Sequence, residues 1–253
     1  MPEDAERVVA VIPARWASQR FPGKVLTDLC GKPMIQWVHE RVSQASSIDQ
    51  VWVATEDSRV AACVEAFGGR VALTSPDHAT GTDRIAEAVQ EINAKWVLNV
   101  QGDEPLVPPQ ALDRLVADMR AHPEIEMGTL AVPLEVHEPD FESSDVVKVV
   151  TSPAGRALYF SRAPIPFARE KAPQGTMALR HWGIYAFRRD YLERFVTLPR
   201  SPLERSESLE QLRALEDGAR IRVVQSREQT LSVDRPEDVG RVTALMKTLG
   251  VAE

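Results

Sequence analysis

Cysteine is scarce: Cys30 and Cys63 are the only two in 253 residues. Neither lies in a Cys-x-x-Cys or metal-ligand spacing, which excludes a disulfide framework and a cysteine-built zinc site and fits buried thiols in a reducing compartment. An excess of positive charge is also missing. The net charge of −7 excludes a general nucleic-acid binder, although not a local cationic pocket. No apolar run is long enough to span a bilayer, and residues 1–7 are polar and acidic, unlike a signal peptide; a cytoplasmic protein without membrane association is expected. Internal repeats, low-complexity tracts and an interior linker are absent too, so one domain over residues 1–253 is expected. The remainder, 43% hydrophobic and 26% charged, is ordinary for a globular chain.

What is present is concentrated first between Val8 and Lys24. Val8-Val9-Ala10-Val11-Ile12 is small and β-branched, the composition of a strand buried on both faces of a parallel sheet. Pro13 stops it. The loop beyond carries Arg15, Ser18, Arg20 and Lys24 with a Pro22-Gly23 turn. Three cations off the carboxyl end of a buried strand make a candidate phosphate site; a solvated basic loop is the alternative.

The chain then alternates. Pro33 fits the first turn of a helix with Met34, Ile35, Val38 and Val42 on one face. Residues 50–54 read as a strand, and Thr55-Glu56-Asp57-Ser58 as a helix cap. Gly68-Gly69 ends that helix, and residues 70–74 form a third strand. This order predicts a parallel sheet with helices on both faces. The polar segment 75–84 runs into another helix; Thr80, Gly81, Thr82 and Arg84 could contact a nucleotide, or Thr82 could only cap the helix. Residues 96–100 are a further buried strand that delivers Gln101-Gly102-Asp103-Glu104-Pro105. Asp103, held at a strand end, suits a hard cation that takes one or two protein carboxylates beside phosphate and water; a turn-former is the alternative. Glu104 could assist or be solvated.

From Glu126 the strands, near 127–134, 146–150, 157–160 and 179–187, are less regularly separated by helices, and a Pro- and charge-containing excursion spans 164–173. His181 and Tyr185 could present polar tips to a sugar, or be core residues. Ser201-Pro202-Leu203-Glu204 is a capping box opening one helix through Leu209, Leu212 and Leu215 to Gly218; Glu210 and Gln211 lie off its leucine stripe, ordinarily a solvated face. Residues 221–224 are a strand. Residues 231–234 read as a last short strand releasing Asp234 before the terminal helix, so Asp103 and Asp234 could converge on one metal.

Ile12-Pro13-Ala14-Arg15 with Arg20-Phe21-Pro22-Gly23-Lys24 resembles the nucleotide-binding signature of the sugar cytidylyltransferases. Asn99-Val100-Gln101-Gly102-Asp103-Glu104-Pro105, Val147-Lys148-Val149-Val150, Ala157-Leu158-Tyr159-Phe160-Ser161-Arg162, Arg180-His181, Leu209-Glu210-Gln211 and Val233-Asp234 with Pro236-Glu237-Asp238 narrow the resemblance to the CMP-Kdo synthetases (3-deoxy-manno-octulosonate cytidylyltransferases), over nearly the whole chain. The resemblance implies a Rossmann-like nucleotide-diphospho-sugar transferase fold with a mostly parallel central sheet and a smaller dimerisation and sugar-binding subregion. Its parts are expected near 8–125 for the nucleotide, 126–200 for the sugar and dimer, and 201–250 for the C-terminal helices. It implies transfer of CMP from CTP to Kdo with release of pyrophosphate, Mg²⁺ dependence, a homodimer, and a role in lipopolysaccharide biosynthesis.

By the same resemblance, Pro13, Ala14, Arg15, Ser18, Arg20, Lys24, Thr80, Gly81, Thr82 and Arg84 bind CTP. Asp103 and Asp234 hold the metal and, with Lys24 and Arg15, carry the chemistry. Gln101, Arg162, His181, Tyr185, Glu210 and Gln211 contact Kdo. Arg162 is the expected partner of the sugar's carboxylate. A cytidylyltransferase for another acidic sugar, amino-Kdo or a sialic acid, and a non-catalytic sugar-nucleotide binder are the alternatives. Two positions depart from the family pattern. Arg235 replaces a small capping residue, which bears on stability, and Trp182 stands where a smaller aliphatic residue is expected, which bears on the sugar pocket.

Overall fold

The computed structural model describes residues 6–17, 21–167, 169, 177–228 and 230–252. The chain divides into two compact units, residues 1–113 with 229–253 and residues 114–228.

The first unit is built on a parallel sheet. β1 (Val8–Pro13) lies between β4 (Gln50–Thr55) and β6 (Trp96–Asn99), and β5 (Arg70–Leu73) pairs outside β4. Val8, Val9, Ala10, Val11 and Ile12 are all fully buried, which is why the run contains no polar alternation: both faces of a central parallel strand are covered. α1 (Met34–Ser43), α2 (Ser58–Ala66) and α3 (Gly81–Ala88) stand between the strands. A two-residue hairpin, β2 (Asp28–Leu29) with β3 (Lys32–Pro33), precedes α1. Pro33 therefore sits at the N-cap, one residue before the helix rather than in its first turn. α4 (Pro109–Ala121) follows β6. The terminal helix α9 (Asp238–Thr248) buries Val242 and Met246 against Leu29, Met34, Trp37, Leu106 and Val233.

The second unit holds a mixed sheet. β7 (Met127–Glu135) pairs parallel with β11 (Ile221–Gln225) and antiparallel with β10 (Met177–Arg188). β8 (Lys148–Thr151) pairs antiparallel with β10 and with β9 (Ala157–Ser161). The buried Lys148 donates to the carbonyls of Ser143, Val146 and Arg162 at 2.8, 2.6 and 2.6 Å, tying the chain that enters β8 to the chain that leaves β9 at the open end of this hairpin. The short helix α5 (Pro139–Glu142) follows β7. α6 (Arg189–Phe195), α7 (Pro202–Glu207) and α8 (Gln211–Glu216) complete the unit.

Three further expectations change. The helix read through residues 202–218 is broken: Ser208 takes a left-handed conformation, φ 53°, separating α7 from α8. Residues 231–234 form no strand, although Val233 N–H still donates to Asp103 O at 3.0 Å. Both cysteines are free thiols, half-buried rather than buried. No helix among the described residues is long and apolar enough to cross a membrane.

Candidate active site

Pro13 removes a backbone donor and ends β1, but Ala14 N–H still reaches Ala54 O at 2.9 Å, so the chain leaves the sheet one residue later. Arg15 is exposed, its guanidinium 3.5 Å from Ala79 O at the foot of α3. Trp16 closes the loop: Gly23 N–H donates to Trp16 O at 2.9 Å, and Arg59 stacks on the indole at 3.5 Å. Gly23 is required there. Its φ is 70°, and a Cβ would lie 2.8 Å from the Trp16 ring. Ser18 and Arg20, expected to bind phosphate, lie outside the described residues.

The cap of α3 is Thr80, not Thr82. Thr80 and Asp83 form a reciprocal capping box, while Thr82 is 1% exposed and accepts from Asn99 at 3.4 Å. Gly81 lets the helix start close to Pro13, whose ring would be 3.3 Å from a Cβ. Arg84 is fully buried, 2.8 Å from the Glu56 carboxylate and hydrogen-bonded to Thr74. It thereby ties the end of β4 to the chain after β5. Glu56, read from sequence only as part of a cap, also accepts from Trp16 N–H at 3.3 Å.

Two aspartates 131 positions apart meet. Lys24 opens a 3-10 turn, Lys24–Leu26, and its Nζ contacts the Asp103 carboxylate, lies 3.8 Å from Asp234 Oδ1, and donates to Val233 O at 3.3 Å. Gly102 permits this approach, because a Cβ would stand 3.0 Å from Pro13 O. An ammonium group facing both carboxylates marks one point toward which both can direct oxygen. Two carboxylates are the number a hard divalent cation takes when phosphate and water supply the rest. Among the described residues no group of three or more His, Cys, Asp or Glu side chains is gathered to hold a metal unaided. Asp238 accepts from the N–H groups of Asp234 and Arg235 at 3.0 and 2.8 Å. It does the capping that Arg235 cannot, so that departure leaves the Asp234 backbone held. Glu104 is not solvated: it is buried and accepts from Thr230 at 3.0 Å. Gln101 donates to Asn99 at 2.9 Å.

In the second unit, His181, Tyr185 and Gln211 come together. Tyr185 donates to Gln211 Oε1 at 3.0 Å, and the His181 ring packs 5.5 Å from Tyr185 and 4.9 Å from Phe160. Burial, with Glu210 nearby, raises the Tyr185 pKa, so the phenol stays a donor. Gln211 is 3% exposed, not on a solvated face, and its Nε2 has no hydrogen-bond partner among the described residues. A buried, unused amide donor is costly unless a ligand takes it. Gln211 opens α8, whose residues Gln211, Leu212, Arg213 and Ala214 are all buried. Arg162 is held by two carbonyls, Glu207 O at 2.8 Å and Ser144 O at 2.9 Å, and its N–H by the Glu207 carboxylate at 2.9 Å. Sequence gave Glu207 no role. Trp182 is buried, and its indole N–H likewise finds no partner among the described residues.

Burial pushes the His181 pKa down to about 3. The unfolded chain binds this proton below about pH 6.5 and the folded chain does not, so the group removes stability as pH falls through that window. Between about pH 7 and about pH 5 the loss reaches at most about 2 kcal/mol. Urea unfolding at the two values should show a larger drop in midpoint for the native chain than for His181→Gln; equal drops would contradict it.

Comparison with known proteins follows the geometry. A cytidylyltransferase family model matches residues 9–221. The chain is 52% identical over 249 residues to a 3-deoxy-manno-octulosonate cytidylyltransferase of Syntrophotalea carbinolica, covering 96% of this chain and 99% of that protein. It is 48% identical to the protein of the same name from Geobacter sulfurreducens, covering 95% and 99%. Among solved structures it is similar to a CMP:2-keto-3-deoxy-manno-octonic acid synthetase complexed with CTP: TM-score 0.92, 42% identity, 96% of this chain and all of the other. A 4-diphosphocytidyl-2C-methyl-D-erythritol synthase from Anaerococcus prevotii, at 15% identity and TM-score 0.63, shares the fold.

Proposed function

The chain belongs to the 3-deoxy-manno-octulosonate cytidylyltransferase family, and from that premise we propose that it transfers CMP from CTP to the anomeric hydroxyl of Kdo, releasing pyrophosphate. The observation that supports this most is the meeting of Lys24, Asp103 and Asp234 beside the end of β1. The reaction forms a bond from the sugar oxygen to the α-phosphorus and breaks the bond from that phosphorus to the β-phosphate oxygen; the hydroxyl proton departs. No covalent intermediate on the protein is required, so positioning and charge neutralisation carry the catalysis.

In the first unit, Arg15, Lys24 and, by family resemblance, Ser18 and Arg20 hold the triphosphate. Lys24 neutralises the charge that collects on departing pyrophosphate. The backbone at Pro13 and Ala14 and residues 80–84 frame the nucleoside, with Arg84 acting as a buried post. Asp103 and Asp234 hold Mg²⁺, which supplies neutralisation of phosphate charge and acidification of the sugar hydroxyl. In the second unit, the unused Gln211 amide, Tyr185, His181, Glu210 and Arg162 hold the sugar acid. A homodimer acting in the cytoplasm, ahead of lipopolysaccharide assembly, completes the reading.

A pyrophosphate-release assay tests it. Release is expected with CTP, Kdo and Mg²⁺ together, and not when any one is omitted or UTP replaces CTP. Release with a sialic acid but not with Kdo would overturn the sugar assignment. No release with any sugar acid would overturn transfer itself.

A further inference from the structure

His181 contributes an imidazole to the proposed sugar site, and what it offers a ligand depends on which ring nitrogen carries its proton. That is set behind it, at a defect in the sheet. β10 pairs with β7 as Trp182 opposite Leu130 and then Tyr185 opposite Thr129, so Gly183 and Ile184 are extra residues with no counterpart. A bulge of this kind interrupts the ladder and leaves carbonyls to be satisfied by other means. The Thr129 hydroxyl does this. Its Oγ1 lies 2.7 Å from Ile184 O and 3.3 Å from Trp182 O. The same oxygen lies 3.0 Å from His181 Nε2. Thr129 is fully buried, so water does not compete for these contacts.

A hydroxyl has one proton. Both carbonyls are acceptors only, so that proton is directed to Ile184 O, and the Thr129 oxygen is left as an acceptor toward His181. The imidazole must therefore donate from Nε2. Burial keeps the ring neutral, so its single proton is committed there and Nδ1 is a bare acceptor. Nδ1 has no hydrogen-bond partner among the described residues, and the residue is half-buried.

We propose that Thr129 is a positioning residue that fixes His181 as the Nε2–H tautomer, so that Nδ1 accepts a hydrogen bond from a hydroxyl of the sugar acid. This rests on the reading of His181 as a sugar contact and adds to it the direction of the hydrogen bond. A sugar derivative without the hydroxyl that reaches Nδ1 has no donor to offer, whereas an imidazole of the opposite tautomer would present N–H to that hydroxyl. A threonine suits the task because its branched β-carbon restricts rotation of the hydroxyl.

The first test needs no substitution. Nitrogen-15 NMR of the full chain, labelled at the histidine rings, should show His181 protonated at Nε2 and bare at Nδ1, unchanged from about pH 7 to about pH 5. A proton on Nδ1, or titration of the ring within that range, would overturn the proposal. In Thr129→Val, which keeps the shape and removes the hydroxyl, the tautomer preference should be lost. The KM for Kdo should rise about tenfold while kcat and the KM for CTP stay within about twofold. Thr129→Ser should restore the spectrum and most of the KM. A purely structural role for Thr129 would instead lower stability and kcat together and leave the tautomer in place, which would overturn the proposal. His181→Phe separates the two layers: an unchanged KM for Kdo in that variant removes His181 from the sugar site, whereas the spectrum of the native chain decides the tautomer by itself.

Discussion

Asp103→Asn should lower kcat at least about a hundredfold, equivalent to about 2.7 kcal/mol in the barrier, while leaving the fold intact. Asparagine keeps the size of the side chain and one acceptor oxygen, so the strand-end turn that Gly102 permits is undisturbed. What it removes is the charge. Lys24 then faces only Asp234, at 3.8 Å, and the pair of carboxylates proposed to hold Mg²⁺ is halved. Metal-assisted phosphoryl transfer depends on neutralising charge that grows along the reaction, so the loss should appear in kcat more than in CTP affinity. Asp234→Asn should behave in the same direction and by a similar factor. Steady-state kinetics at saturating Mg²⁺, with circular dichroism to confirm folding, decides the matter for each residue. Near-normal turnover in either variant would remove that residue from the metal site.

Arg213→Met should cost about 3–5 kcal/mol of stability, the largest effect expected of a substitution among the ion pairs. Arg213 and Glu204 form a two-pronged pair, with both N–H···O distances 2.8 Å, and their side chains are 6% and 3% exposed. Glu204 also closes the capping box of α7, its carboxylate accepting from Ser201 N–H at 3.2 Å. Burial by itself would raise the Glu204 pKa, but the Arg213 hydrogen bonds and charge override it and hold the carboxyl below its ordinary range. Without the guanidinium a buried charge is left facing only the more exposed Arg200. For a chain of this length the melting temperature should fall by roughly 6–20 °C. The pair replaced together, Glu204→Met with Arg213→Met, should recover much of the loss, because the penalty comes from the orphaned charge rather than from absence of the pair. Calorimetry on the native chain and the two variants measures this; Arg213→Met melting within about 2 °C of the native chain would contradict it.

The parallel half of the fold is legible because its strands announce themselves. A strand covered on both faces is dominated by apolar residues, and residues 8–12 and 96–98 are apolar throughout; the capping sets at Asp57 and Ser201 and the glycine at 68 then mark the helix ends. The kink at Ser208 is not legible. Leu209, Leu212 and Leu215 keep helical spacing directly after it, and a single left-handed serine leaves no trace in the hydrophobic period. That one residue sets the helix that carries Gln211 apart from the one before it. The segment around Val233 misleads in the opposite direction. Its composition suits a strand, but its backbone is claimed by Asp103 O and by the Lys24 ammonium, partners supplied by distant parts of the chain. The shared place of Asp103 and Asp234 at the ends of apolar runs suggests that they converge, and the structure brings both to Lys24. The anchoring of Arg162 by Glu207 and Ser144, and the service of Thr129 to both a bulge and a histidine, depend on register and carbonyl placement that residue types do not encode singly.

The most direct measurement is identification of the product. Phosphorus-31 NMR of a mixture of the enzyme with CTP, Kdo and Mg²⁺ should show the three CTP resonances replaced by pyrophosphate and by one phosphodiester signal coupled to the sugar's anomeric carbon. CTP left intact, or cleaved without a phosphodiester to Kdo, would contradict the assignment of this site to CMP transfer.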